Sequence, residues 1–372
     1  MSTRAGERRR RRDEAEPDGR TRSVTLRQVA AHVGLSPATV SMVLNQAPAS
    51  AAIPQETQER IFAAARELRY QPNYLAKSLR SRRSYSVGVL VPEISEPYAA
   101  EVMSGIEGYL LETHYHYLVA SHRRSTESLL HEYLDLMRAR AVEGLILVAG
   151  ELHEHPALPA VVVSGHVELE GVTNLVIDHD RAAQLTLAHL AGLGHERIAF
   201  FKGQPGSADT EDRWRAIVEV AASLDLEVLP ELTVQLSGEP ELAAFAPADG
   251  YEEGYAFARM LLDRGAPFTA LFGFDDVSAI GAIRAFLDAG LRVPEDVSVV
   301  GFDDIQSAAY QNPTLTTVRQ PLREMGEMAA RILLQRLDAE QPPGEALVTV
   351  EPKLVVRGST GPAPTRRERT TG

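Results

Sequence analysis

The sequence predicts an α/β protein with a small all-α headpiece at its amino end. Three observations lead there. From Ser84 onward, short apolar runs alternate with helical patterns, the texture of parallel sheets covered by helices on both faces. Before that point, residues 23–83 hold only short helical patterns, broken by Gly34, Pro48, Pro54 and Pro72. Charge divides at the same place. Residues 1–83 carry 16 basic and 8 acidic side chains, a balance of +8, while the whole chain of 372 residues stands at −13, which leaves −21 for the remainder. An acidic body repels nucleic acid, so from charge alone the chain reads either as one that touches nucleic acid through its basic head or as an ordinary enzyme with a solvated basic tail.

Composition excludes several classes. With no cysteine there is no disulfide, thiolate metal site, iron–sulfur cluster or cysteine nucleophile. No apolar run reaches the roughly 18 residues of a membrane helix. The arginine run Arg8 to Arg12 is followed by charged residues, not by the apolar stretch of a secretory signal, so a soluble cytoplasmic protein is expected. Residues 1–22 have almost no apolar content and are predicted to form a disordered basic tail.

In the headpiece, residues 23–71, Thr25 followed by Gln28 forms a capping-box start, and Leu26, Val29, Ala30 and Val33 share one helical face. Gly34 can take the positive φ that stops this helix. Ser36 caps a second helix, with Pro37 at its first position, where a missing N–H costs nothing. Val40, Val43 and Leu44 form that helix's apolar stripe. Two short helices around a glycine turn make a helix-turn-helix. Such a motif places its second helix in the major groove, with Thr39 and Ser41 available to backbone phosphates. A third helix over residues 55–68 closes the core with Ile61, Phe62, Ala65 and Leu68. Residues 72–83 read either as a helix-prone segment whose basic side chains suit the minor groove while a leucine wedges a base step, or as a plain linker between domains.

Residues 84–357 alternate strands and helices. Strands are predicted at 85–91, 115–120, 144–148, 160–163, 174–177, 197–201, 232–236, 270–272, 298–300 and 347–356. Helices are predicted at 98–113, 125–138, 181–193, 212–224, 251–264, 278–289 and 322–338. So many strands exceed one ordinary α/β domain and predict two lobes, with a ligand cleft at the strands' carboxyl ends. Residues 358–372 are polar and expected to be a disordered tail.

Residues 24–45 resemble the headpiece of the lactose-repressor (LacI/GalR) family of bacterial transcription regulators. The likeness runs from about residue 24 to 359. It includes the words at residues 66–73, Lys77-Ser78-Leu79-Arg80, and residues 87–98, 193–200, 290–304 and 313–321. It implies a homodimer whose headpieces read a pseudo-palindromic operator, and a two-lobed, periplasmic-binding-protein-like effector domain. The family's base-reading positions fall on Pro37, Ala38 and Met42. Arginine is common at the last, where it grips guanine; methionine cannot, and suits a thymine methyl. Thr25, Ser36, Thr39, Ser41 and Asn45 match backbone-contacting positions. Leu79 matches the intercalating leucine, and Lys77 stands for the usual arginine.

In the cleft, Tyr98 can offer an aromatic face and Arg213, read as preceding a helix, a charged fork, while Asp276 and Asp303 follow predicted strands. All four match effector-contact positions of the family. The competing readings are a helix cap for Asp276 and a surface ion pair with Glu211 or Asp212 for Arg213. His122, Asp178 and Phe274 are weaker effector candidates. After the strand at 160–163, where the family often has Asp-Arg, this chain has Ser164-Gly165.

His114/His116 and His153/His155 could each offer two imidazoles, but spacing supplies no third ligand, so no metal or cofactor is expected. No nucleophile elbow, Walker loop or H-E-x-x-H occurs, and the chain does not read as an enzyme. The resulting expectation is a dimeric repressor released from its operator by a small molecule, a sugar by the resemblance. The alternative is a sugar sensor without specific operator binding. With no apolar heptads after Arg357, no tetramer is expected.

Overall fold

Capping chemistry sets the headpiece. In the computed structural model, which describes residues 24–45, 47–70, 83–122, 127–205, 208–236, 250–338 and 345–364, α1 spans Leu26–Val33. Gln28 turns back onto the cap, its Oε1 accepting from the Thr25 N–H at 2.8 Å and the Thr25 hydroxyl at 3.0 Å. Gly34 ends the helix at φ 69°, a left-handed conformation that penalises a side chain. Ser36 Oγ then accepts from the Thr39 N–H at 3.1 Å and starts α2, Pro37–Leu44, with proline at its first position. After a 3₁₀ turn at Pro48–Ala52, α3 runs Gln55–Glu67. Val29, Ala30, Val40, Val43, Ile61, Ala64 and Ala65 close one apolar core. The stretch with Lys77 and Leu79, residues 1–22 and the last eight residues lie outside the described residues.

The described residues up to Ser84 form one compact unit and those from Tyr85 onward the other. The larger unit holds two six-stranded sheets. The strands of the first sheet are β1 (Ser86–Val91), β2 (His116–Ser121), β3 (Gly144–Val148), β4 (Ala160–Val163), β5 (Val172–Ile177) and β11 (Leu347–Val350), in the order β11-β5-β4-β3-β1-β2. Those of the second are β6 (Ile198–Lys202), β7 (Thr233–Gln235), β8 (Ala270–Phe272), β9 (Ser298–Asp303), β10 (Thr316–Arg319) and β12 (Lys353–Val355), in the order β12-β10-β9-β8-β6-β7. All pairings are parallel except β10 with β12. The central strands are wholly buried and mostly apolar, as a sheet covered on both faces requires.

The helices are α4 (Pro97–Leu111), α5 (Glu127–Ala139), α6 (His179–Gly192), α7 (Ala208–Ser223), α8 (Gly250–Arg264), α9 (Asp276–Asp288), α10 (Gln306–Tyr310) and α11 (Leu322–Leu337). Two helix pairs pack backbone to backbone. A Cβ on Gly105 would run into the carbonyl of Arg323, and one on Gly281 into that of Tyr251, so α4 meets α11, and α9 meets α8, through glycine. α11 follows β10 yet packs in the first lobe, its Leu322, Met325 and Leu333 sharing a core with Val89 and Ile146. The chain therefore crosses between lobes after β5, after β10 and between β11 and β12.

Four expectations need correction. The strand read at 347–356 is two, because Glu351-Pro352 carries the chain from one sheet to the other and proline cannot continue the ladder. The helix read from 212 begins at Ala208. Strand β10 and helix α10 were not read at all. Finally, residues 358–364 are not a frayed tail. Ser359 is fully buried, its carbonyl accepts from the Val299 N–H at 2.8 Å and its hydroxyl donates to the Val299 carbonyl at 2.6 Å, while the Ala363 N–H donates to Leu193 at 2.8 Å.

Candidate functional site

Two surfaces carry the candidates. In the headpiece, successive residues of α2 turn by about 100°, so Pro37, Ala38, Ser41, Met42 and Asn45 fall within about 140° of arc, opposite Val40 and Val43. Burial agrees. Val40 and Val43 are interior, Pro37, Ala38 and Asn45 are exposed, and Ser41 and Met42 are half-buried. Ser36 and Thr25 are exposed at the caps. The stripe is internally ordered: Asn45 Nδ2 donates to the Ser41 carbonyl at 2.7 Å and to its hydroxyl at 3.2 Å, and the Ser36 and Thr39 hydroxyls lie 2.9 Å apart. Preset polar side chains on an exposed helix face suit a groove, because little side-chain entropy remains to be lost.

In the larger unit the cleft forms where strand ends of the two lobes meet. Tyr98, in the first turn of α4, is 9% exposed, and its hydroxyl lies 2.7 Å from Ser164 Oγ, beyond the end of β4. Across from it stands Arg213. It sits within α7, not before a helix, and is buried at 4% exposure, so the surface ion pair with Glu211 or Asp212 does not form. Its guanidinium lies between the rings of Phe274 at 4.3 Å and Phe302 at 3.7 Å. Nη1 donates to the Phe274 carbonyl at 2.5 Å, Nη2 meets Asp209 Oδ2 at 3.4 Å, and Nε has no partner among the described residues. Asp303 ends β9 at φ 109°, is 7% exposed and accepts from Gln320 Nε2 at 2.6 Å. Burial pushes its carboxyl well above the usual range, against the pull of Arg213. Burial also raises the Tyr98 phenol, and the charges of Asp209, Asp303 and Arg213 all act on it, which places the first-lobe phenol opposite the second-lobe charges.

Ser164 and Asp304 share Asp303's left-handed conformation, at φ 60° and 59°. Strained non-glycine residues gather where surrounding structure holds them, frequently at ligand sites. Beside them, a cleft of about 270 Å³ is lined by Glu101, Asp304, Arg319, Gln320 and Arg323 among others.

Of the remaining sequence candidates, Phe274 joins this cluster through Arg213, and Asp276, Asp178 and His122 do not. Asp276 has no exposure and both oxygens are taken, Oδ1 by the Thr317 hydroxyl at 2.5 Å and Oδ2 by the Ile305 N–H at 2.9 Å. It pins α9 to the strand ends from inside, and its pKa is pushed up to about 8 by burial. Nor is it the helix cap; Asp275 is, accepting from the Ser278 N–H at 2.7 Å. Asp178 caps α6 through the Arg181 N–H at 2.8 Å. His122 is buried with Nε2 3.1 Å from the Val148 carbonyl, and Phe274 stacks on Arg213. Sequence reasoning missed His166, His179 and Asp209. Both His166 Nε2, at 2.8 Å, and His179 Nε2, at 3.2 Å, contact Asp209 Oδ1. The signal was adjacent: the departure at Ser164-Gly165 continues into His166.

Comparison with known proteins bears on both surfaces. Residues 25–73 match the family described as bacterial regulatory proteins, lacI family. Residues 84–228 match the periplasmic binding proteins and sugar binding domain of LacI family, and residues 187–360 a periplasmic binding protein-like domain. The HTH-type transcriptional repressor PurR of Aliivibrio fischeri (strain MJ11) is 30% identical, over 90% of this chain and 98% of that protein. The chain belongs to the lacI family. A lac repressor dimer bound to operator and the anti-inducer ONPF superposes at a TM-score of 0.79, with 26% identity, covering 91% of this chain and 99% of that one. A complex of the transcriptional regulator CelR with cellobiose superposes at 0.63, with 27% identity, covering 90% and 99%. This lacI-family member is a DNA-binding transcriptional repressor with a small-molecule effector, and not an enzyme. The resemblance read from the sequence holds, as does the fold, a helical headpiece followed by two α/β lobes. Among the described residues, no helix is long and apolar enough to cross a membrane.

Proposed function

We propose that this repressor acts in the cytoplasm as a homodimer on a pseudo-palindromic operator and that a sugar entering the cleft releases it. The observation that carries the effector part is the meeting of Tyr98 and Ser164 from one lobe with Arg213 and Asp303 from the other. Hydroxyls, which donate and accept, and a carboxyl beside a guanidinium, which only donates, suit the adjacent hydroxyls of a sugar. The family description, a sugar binding domain, and the cellobiose held by the CelR relative support that class. The dimer is supported by edge strand β2, where Leu118 and Val119 are 41% and 37% exposed, with Leu111 at 78% nearby in sequence at the end of α4. On this reading Pro37, Ala38 and Met42 touch bases, and Thr25, Ser36, Thr39, Ser41 and Asn45 hold the DNA backbone. Lys77 and Leu79 enter the minor groove.

The mechanism is linkage. A sugar that binds one arrangement of the lobes better than the other shifts their equilibrium, and with it operator affinity, by its differential binding energy and no more. Selection of bound duplexes from a random library, followed by a sugar screen for release, tests it. A selected two-fold symmetric site, protein dimers in solution and release by a sugar are expected. A site without symmetry, or release only by ligands without hydroxyls, overturns the respective part.

A further inference from the structure

The family reading leaves one cluster unused. His166 follows β4 and belongs to the first lobe, whereas His179 opens α6 and Asp209 lies in the first turns of α7, both in the second lobe. One ring nitrogen of His166, one of His179 and one Asp209 oxygen all lie within 4.8 Å of one another, the only such grouping of three potential metal ligands among the described residues. The His-x-His pairs conspicuous in the sequence gather no third donor there. We propose that these three atoms bind a divalent first-row transition-metal ion, which ties the two lobes together.

Three features argue for a metal. The first is distance. With ligand bonds of about 2.1 Å, atoms separated by the observed 2.8 and 3.2 Å subtend roughly 84° and 99° at a shared ion, close to the 90° between neighbouring ligands of an octahedral site. The second is tautomer. His166 Nδ1 lies 2.6 Å from Asp212 Oδ2, so a neutral His166 that donates there turns the lone pair of Nε2 toward Asp209 Oδ1. A carboxylate behind a histidine is the usual support of a metal ligand, fixing its ring and raising its basicity. Two facing lone pairs 2.8 Å apart need a positive charge between them. The third is the environment. His179 is buried, and the one polar contact of its ring among the described residues is Nε2 with Asp209 Oδ1. Arg213 meets the other oxygen of Asp209 at 3.4 Å, leaving Oδ1 to the two histidines. Because Asp209 serves both the ion and the guanidinium, the metal and the sugar are coupled ligands of one cleft.

Without metal, two imidazole protons must take the ion's place, and His166 then carries a proton on each nitrogen. Cobalt(II) separates the two. Untagged, chelator-treated full-length protein is titrated with cobalt(II), without DNA or sugar, and followed by its visible absorption. A failure here therefore leaves the repressor reading intact. One cobalt(II) per chain, displaceable by zinc(II), is expected. His166→Gln weakens binding at least 10-fold and Asp212→Asn about 10–100-fold, while His153→Gln leaves it unchanged. His166 is the primary variant because its side chain is 18% exposed, against 4% for His179, and Trp214 fluorescence confirms that each variant folds. Absence of a saturable site, or wild-type affinity in folded His166→Gln, overturns the proposal.

Discussion

Replacing Asp276 with asparagine removes a proton-binding site from the interior of the second lobe. The side chain has no exposure, and among the described residues no cation pairs with it. Its contacts are one hydroxyl and one backbone N–H, while Asp275 and Asp304 add negative potential, so its pKa stands at about 8. The unfolded carboxyl titrates near 3.9. Between these values the folded chain holds a proton that the unfolded chain has released, so stability falls as pH rises. At 1.36 kcal/mol per pH unit, and with the folded group half-ionised at pH 8, the loss from pH 5 to pH 8 is about 4 kcal/mol. Asparagine keeps the shape and cannot ionise. At pH 5 it costs about 1–3 kcal/mol, because its amide sets a donor against one of the two donors. Trp214, the only tryptophan, packs on Phe200 in the second lobe and reports that lobe's unfolding in urea. The wild type should lose about 4 kcal/mol more than Asp276→Asn over this pH interval. Asp303, raised in the same direction, stays in both proteins and largely cancels in the difference. Equal pH slopes for the two proteins would refute a buried neutral Asp276.

Four further outcomes are expected. Gly281→Ala forces a Cβ against the Tyr251 carbonyl and should destabilise the second lobe by about 1–3 kcal/mol or more, read by the same urea transition. Arg213→Met keeps the stack between Phe274 and Phe302 but loses the fork; operator binding should survive while release by the effector disappears in a fluorescence-anisotropy titration. Met42→Arg restores a bidentate guanine reader, and duplex selection should move toward guanine at one half-site position by about 1–3 kcal/mol. Leu79→Ala should weaken specific binding far more than non-specific binding, measured on operator against random duplex; equal losses would count against a minor-groove wedge.

Local chemistry made much of this legible. Thr25, Gly34, Ser36 and Pro37 signal helix ends within a few residues, and α1 begins and ends, and α2 begins, where those signals stand. Continuous apolar runs marked the central strands because both faces of a parallel sheet are buried. What failed was long-range. Residues 347–356 are apolar enough for one strand, and only the geometry of two lobes makes Glu351-Pro352 a crossing. Asp275 and Asp276 look alike in sequence, yet one caps α9 at its surface and the other is sealed beneath Thr317, a residue 41 positions away. His166 and Asp209 are 43 residues apart and His179 and Asp209 are 30, so no spacing rule joins them. Residues 358–364 are polar, but Ser359 pairs with the edge of a buried strand, and composition carries no trace of that.

The most direct test of a headpiece that holds DNA under the control of the cleft is the salt dependence of binding to the selected operator, with and without the releasing sugar. The headpiece reading predicts a linear fall of log affinity with log salt, several charges steep, tighter binding to operator than to random duplex, and loss of that preference when the sugar is added. Binding that ignores salt, or an operator preference untouched by every sugar that the protein binds, would contradict it.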